Sequence, residues 1–112
     1  MNIDKLLPTP SRHEIFRRNR GNFVPEVSGC YVLTSFSREV MYVGLAKNLR
    51  RRFIQHLDSP DKVSVNKLGR ALLFWWYTSA DINKIERTWM NIHLLEEGAL
   101  PVLNKVYSPV GA

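Results

Sequence analysis

Residues 29–57 read GCYVLTSFSREVMYVGLAKNLRRRFIQHL, and the hydrophobic period changes partway through them. From Cys30 to Phe36 the run is rich in β-branched and aromatic residues, a polar break falls at Ser37-Arg38-Glu39, and VMYV resumes at 40–43. Two β-favouring runs joined by a short polar break predict an antiparallel hairpin, bracketed here by Gly29 and Gly44. From Ala46 to Leu57 the period lengthens: Leu45, Leu49, Phe53 and Leu57 recur every four residues, which predicts a helix with one apolar stripe. Arg52 and His56 are also four apart and flank that stripe on one side. Arg50 and Arg51 project elsewhere, to solvent or phosphate.

Beyond the helix, residues 58–70 (DSPDKVSVNKLGR) are polar and turn-rich, with room for one helical turn that would place Val65 and Leu68 together. LLFWWYT at 72–78 is apolar on both alternating faces, as a well-buried strand requires. A last helix is expected over about 80–97, where Ile82, Ile85, Trp89 and Ile92 define a buried face. At 100° per residue Glu86 lies about 40° from Ile82, inside that apolar arc, whereas Lys84, Arg87 and Asn91 point away. A carboxylate there needs a cation, a salt-bridge partner or a raised pKa, because burying an unpaired charge is costly. Taken alone, a structural ion pair is the safer of these explanations. Gly98 ends the helix, and PVLN at 101–104 follows as an extended segment.

Ahead of the hairpin, Ser11-Arg12-His13-Glu14 fits the capping-box pattern and predicts a short helix over 12–19, closed by Gly21. Arg12, Arg17, Arg18 and Arg20 make this arm basic, as either a solvated face or a phosphate contact. The order helix, hairpin, helix, loop, strand, helix gives an α+β fold with a small three-stranded antiparallel sheet flanked by helices. The chain reads as one compact domain, a basic arm at 1–28 leading into a body at 29–112.

With 112 residues and 45% hydrophobic content the chain suits a single core. Cys30 is the only cysteine, so no internal disulfide forms, and no histidine–cysteine cluster has zinc-site spacing. The amino-terminal stretch lacks the apolar run of a secretion signal, and no segment approaches the roughly 20 apolar residues of a membrane span. A reducing cytoplasm is the expected setting. The net charge of +6 is unevenly spread: residues 1–70 hold 13 Lys/Arg against 6 Asp/Glu, and residues 71–112 hold 3 against 4. The basic part suits a polyanion, an anionic membrane surface or simple solubility.

Gly29-Cys30-Tyr31 on one strand, Tyr42-Val43-Gly44 on the next, and Arg52 on the following helix together resemble the GIY-YIG nuclease superfamily. Ten residues separate the two tyrosines, a usual spacing for that family. YVGLAKNLRRRFIQH is similar to its longer stretch, YIG-x-[AST]-x-[ND]-[LF]-x-x-R-x-x-x-H. Glu86 and Pro101-Val102-Leu103-Asn104 stand where the family has a metal-binding glutamate and a Pro-x-x-Asn segment. Cys30 and Val43 replace isoleucines by small apolar groups. Leu45 stands where some relatives carry a lysine, for which Lys47 is the nearest substitute.

The resemblance implies a metal-dependent endonuclease that hydrolyses phosphodiester bonds, with DNA as the first choice of substrate and RNA as the second. Glu86 would hold one Mg²⁺ or Mn²⁺, and Arg52 would meet the phosphate as negative charge develops. Tyr31 or Tyr42 would orient and deprotonate the attacking water, with Tyr31 preferred, once nearby positive charge has lowered a pKa that is ordinarily about 10. His56 would assist by a hydrogen bond to tyrosine or substrate, and Asn104 would brace the site. Lys47, Arg50, Arg51, Lys67 and Arg70, with Arg17 and Arg18 of the arm, are the candidate nucleic-acid contacts. Target choice would fall to the basic arm, the 58–70 loop, self-association or a protein partner. The competing reading is a nucleic-acid-binding module of the same fold that has lost catalysis; the complete set Tyr31, Tyr42, Arg52 and Glu86 argues against it.

Overall fold

In the computed structural model, which describes residues 1–104, the elements run β1 (Arg12–Ile15), β2 (Gly29–Thr34), β3 (Val40–Ala46), α1 (Leu49–Leu57), α2 (Pro60–Val63), β4 (Leu73–Thr78) and α3 (Ile82–Glu97). The strands form one antiparallel sheet in the order β1-β4-β2-β3. The fold is α+β, and residues 105–112 of the expected 29–112 body lie outside the described residues.

Strand alternation gives the sheet two faces. Tyr31, Leu33, Phe74 and Trp76 point to α1 and meet Leu49 and Phe53. Cys30, Val32, Val43, Leu45 and Trp75 point the other way, to Trp89 and Met90 of α3. In the hairpin Tyr31 pairs with Gly44 and Leu33 with Tyr42, but Thr34 pairs with Val40, so Met41 is an extra residue. The regular pairing before the bulge puts Tyr31, Leu33 and Tyr42 on the same face. α1 begins later than the sequence predicts, because Ala46 still pairs with Gly29 and Asn48 caps the helix, accepting the Arg51 N–H at 3.0 Å.

The expected helix over 12–19 is corrected: Arg12–Ile15 is a strand, followed by a 3₁₀ turn at Arg18–Phe23. The sheet therefore has four strands where three were expected. Arg12 to Ile15 pair with Trp76 to Leu73, and the Phe16 N–H donates to the Leu72 carbonyl at 2.8 Å. A capping box is worth roughly 1 kcal/mol; it cannot outweigh a ladder that pairs the backbone groups along an edge of β4 and buries Phe16. Glu14 faces Arg20 at 3.6 Å and caps nothing. The charged, largely exposed β1 makes a guarded sheet edge.

Two smaller expectations also change. The helical turn in the 58–70 loop is α2, set by Pro60 at its first position, and it leaves Val65 and Leu68 exposed. The PVLN segment closes as a turn, with the Asn104 N–H donating to the Pro101 carbonyl at 2.9 Å. α3 ends as predicted: Gly98 is left-handed at φ 73° and its N–H donates to the Leu94 carbonyl at 2.8 Å. The first residues of the arm pack onto the body. Ile3 and Leu6 are fully buried against the α3 face, and the Trp89 indole N–H donates to the Pro8 carbonyl at 2.9 Å. No helix among the described residues is long and apolar enough to cross a membrane.

Candidate active site

The site begins with one close approach. The Tyr31 ring lies flat over Gly44, its cross-strand partner: a Cβ added at Gly44 would stand 2.4 Å from the Tyr31 hydroxyl oxygen and 2.5 Å from Cζ. Phe74 stacks on the same ring at 5.0 Å with a 9° interplanar angle, so the ring has no room to yield. Gly29 is constrained likewise by backbone, since a Cβ there would meet the Tyr77 carbonyl at 2.6 Å. Both motif glycines are thus places where another group occupies the space of a side chain.

The wedged ring delivers its hydroxyl to His56, with Oη and Nε2 2.5 Å apart. Burial, then the charges of Lys62 and Arg52, lowers the His56 pKa to about 3, so the imidazole is neutral and its Nε2 shares one hydrogen bond with the Tyr31 hydroxyl. The expectation that nearby positive charge lowers the tyrosine pKa meets a stronger opposing effect. Burial and the adjacent Tyr42 push Tyr31 well above 10, although Arg52 pulls the other way. Tyr42 is raised as well, mainly by burial, with Glu86 adding to the rise and Tyr31 and Arg52 opposing it. Tyr42 is half-buried where Tyr31 is sealed, and its ring lies 5.9 Å from Tyr31 and 5.2 Å from His56. The Lys62 ammonium sits 4.6 Å above the Tyr42 ring, a cation–π contact presented by α2.

Glu86 is 3% exposed, among Cys30 and the apolar residues of α3. Its field, after burial, helps push the Cys30 thiol up to about 12, and the same field reaches Tyr42. Among the described residues no three His, Cys, Asp or Glu side chains cluster as a metal site. One buried carboxylate whose field reaches the Tyr42 hydroxyl suits a hard divalent cation that keeps most positions for water and phosphate oxygens, and suits no thiolate- or imidazole-preferring metal.

Asn104 closes β3 from outside: its amide NH₂ donates to the Val43 carbonyl and its oxygen accepts the Val43 N–H, both at 2.9 Å. It therefore sits on the backbone between Tyr42 and Gly44. Leu45 packs in the α3-side core, and Lys47 is exposed beyond the end of β3. Arg51, Lys67, Arg70 and Arg17 are exposed. Arg18 pairs with Asp58, and Arg50 is occupied with the Val24 and Asn22 carbonyls at 2.9 and 3.2 Å. Sequence reasoning placed Lys62 in the loop but missed its seat over Tyr42; Ser59-Pro60, a helix-start pair, is the signal that announces the turn carrying it. The structure thus joins Tyr31, Tyr42, Arg52, His56 and Glu86 electrostatically and leaves the basic candidates dispersed.

A small antiparallel sheet that wedges one tyrosine against a glycine, beside a helix bearing arginine and histidine, defines a GIY-YIG type domain. The family model for the GIY-YIG catalytic domain matches residues 27–94, and the chain belongs to that nuclease family. It is 30% identical over 89 residues to the UvrABC system protein C of Dictyoglomus thermophilum, covering 70% of this chain and 15% of that protein. It is 31% identical over 55 residues to the UvrABC system protein C of Mesoplasma florum, covering 49% of this chain and 9% of that protein. The chain therefore spans less than a sixth of the length of either relative.

Proposed function

We propose that the chain is a divalent-metal-dependent endonuclease that hydrolyses phosphodiester bonds in DNA. The observation that carries this reading is the Tyr31–His56 pair at 2.5 Å, held beside Arg52 and Tyr42 with the charge of Glu86 reaching Tyr42.

Hydrolysis needs an activated water, neutralised phosphoryl oxygens and a protonated leaving group. Tyr31 is sealed and shares its hydroxyl with His56, Tyr42 and Arg52, so it reaches the attacking water through half-buried Tyr42. As water attacks phosphorus, its proton is relayed along the Tyr42 and Tyr31 hydroxyls to solvent, since His56, with a pKa of about 3, is too weak a base to keep it. The high pKa of Tyr31 then has a use: the phenol conducts the proton without being ionised beforehand. Arg52 offers planar, permanently charged donors to the phosphoryl oxygens. Tyr42, half-buried, positions the water, and the bond to the 3′ oxygen breaks with a proton taken from solvent. Glu86 would hold Mg²⁺ or Mn²⁺, which supplies Lewis-acid neutralisation of the phosphate.

Purified protein incubated with supercoiled plasmid and Mg²⁺ should nick and linearise it, and EDTA should stop the reaction. The same assay on RNA of matched length separates the two substrates. A chain that binds plasmid yet leaves it intact at every divalent cation tried is a binding module instead.

A further inference from the structure

Arg50 and Arg52 leave α1 about 200° apart. Arg52 turns to Tyr31, and Arg50 turns to the 3₁₀ turn, where a cleft of about 520 Å³ opens. Arg12, Phe23, Arg50 and Trp76 line this cleft together with the exposed polar residues Asn22 and Thr78, and no Asp or Glu is among its lining residues. Gly44, Tyr31, Trp76 and Arg12 pair in succession across all four strands. Arg12 therefore stands two strand spacings, about 10 Å, from Tyr31 along that row.

Phe23 is 60% exposed at the cleft wall. Its ring is steadied by the Arg20 guanidinium, 5.6 Å from the centroid, and by the 3₁₀ turn that ends with it. Arg50 is engaged by the Val24 and Asn22 carbonyls and by Glu26 at 3.7 Å, which leaves Arg12 as the cleft's cation. An exposed aromatic ring near it, with amide and hydroxyl groups within the same cleft, has the chemistry of a nucleotide seat: a ring for a base, a cation for its phosphate, polar atoms for the base edge. An acidic peptide would use Arg12 and leave the ring unemployed.

We propose that this cleft binds one unstacked nucleotide of the substrate strand, its base against Phe23 and its phosphate on Arg12, while the scissile phosphate lies at Arg52. The proposal rests on the nuclease reading above. At the stacked rise of about 3.4 Å per nucleotide the two seats are at most about three nucleotides apart, and fewer where the strand is unstacked and extended. The cleft then gives the chain a hold on a distorted or single-stranded segment next to the cut, which an intact duplex does not offer.

The test uses the wild-type chain in EDTA, where no cleavage occurs, and fluorescent single strands that are intact or carry abasic sites. The intact strand should bind about five- to a hundredfold more tightly, the range expected for one stacked base. Phe23→Ala should abolish that preference and Phe23→Trp should keep it, with circular dichroism confirming that both fold. Arg12→Ala should lower the log–log salt slope on the intact strand by about 0.7. Equal binding of the two strands by the wild-type chain, an undiminished preference in Phe23→Ala, or no strand binding at all would each overturn the proposal. So would poly-glutamate competing as well as the strand does and losing affinity alongside it in Phe23→Ala. Cleavage of plasmid by the wild-type chain with Mg²⁺ is scored separately, so a failed nuclease reading is distinguishable from a failed nucleotide seat.

Discussion

The two faces of one sheet have been put to different uses. On the α1 face, aromatic packing encloses titratable groups: Tyr31 lies on Phe74, its hydroxyl on His56, and Arg52 and Lys62 act on both tyrosines or their neighbours. On the α3 face, Val32, Val43, Leu45, Trp75, Trp89 and Met90 form an apolar core against which Glu86 is buried. The period-2 alternation of β2 and β3 makes this separation, since a one-residue slip would exchange the faces. Polar groups on the first face have partners or a task, whereas side chains on the second mainly exclude water. Substitutions on the two faces should therefore fail in different ways.

The sharpest difference is expected at Arg52. Arg52→Ala should lower turnover by about 10²–10³-fold, the usual cost of one preorganised transition-state donor, with little change in DNA affinity. Arg52→Lys should recover only part, because a point charge does not reproduce the guanidinium fork. Single-turnover cleavage and equilibrium binding read the two quantities. An equal loss in both would make Arg52 a docking residue.

Next come two small changes on opposite faces of the hairpin, one adding a methyl and one removing two. Gly44→Ala must displace the Tyr31 ring, for which no space exists, so it should cost about 1–3 kcal/mol of stability and also depress turnover of the folded fraction. Val32→Ala, which opens a small void on the α3 face, should cost about the same stability. Turnover per folded molecule should stay near wild type. If Gly44→Ala cleaves as well as Val32→Ala at equal folded fraction, the position of the Tyr31 ring is not catalytic.

The hairpin, α1 and the buried Glu86 were legible because each rests on short-range information. Period 2 and period 4 mark the strands and α1, and 100° per residue puts Glu86 on the wrong side of α3 for a solvated carboxylate. The place of Tyr31 over Gly44 was not legible: the resemblance marked both residues, but no periodicity tells that a glycine underlies a ring on the next strand. β1 was misread for the opposite reason. Its capping-box signal spans four residues, whereas its real partners, Leu73 to Trp76, lie some sixty residues away. The cleft at Phe23 was equally hidden, being assembled from β1, the 3₁₀ turn, α1 and β4.

A pH dependence of stability is expected from both sides of the sheet, chiefly from the α1 face. The folded-state pKa of His56 is about 3, below its unfolded value of 6.5, so between those values the unfolded chain binds a proton that the folded chain refuses. Stability from neutral His56 is complete above pH 6.5 and declines as pH falls towards 3. His93, lowered by burial against its bond to Ala99, acts in the same direction from the other side of the sheet. Urea midpoints from pH 7 to 4 in wild type and His56→Asn separate them: the variant should show the shallower decline. Parallel declines would mean that His56 is not held neutral by the fold.

Glu86 joins the two faces, being seated in the α3 core while its charge reaches Tyr42. Glu86→Gln keeps the side chain's shape and removes its anionic oxygen, so plasmid cleavage with Mg²⁺ is the most direct measurement of the whole account. The expected result is a folded protein that binds plasmid like wild type and does not cut it at any Mg²⁺ or Mn²⁺ concentration. Undiminished cleavage by Glu86→Gln would contradict the account, because no carboxylate would then be needed at the position where the fold buries one.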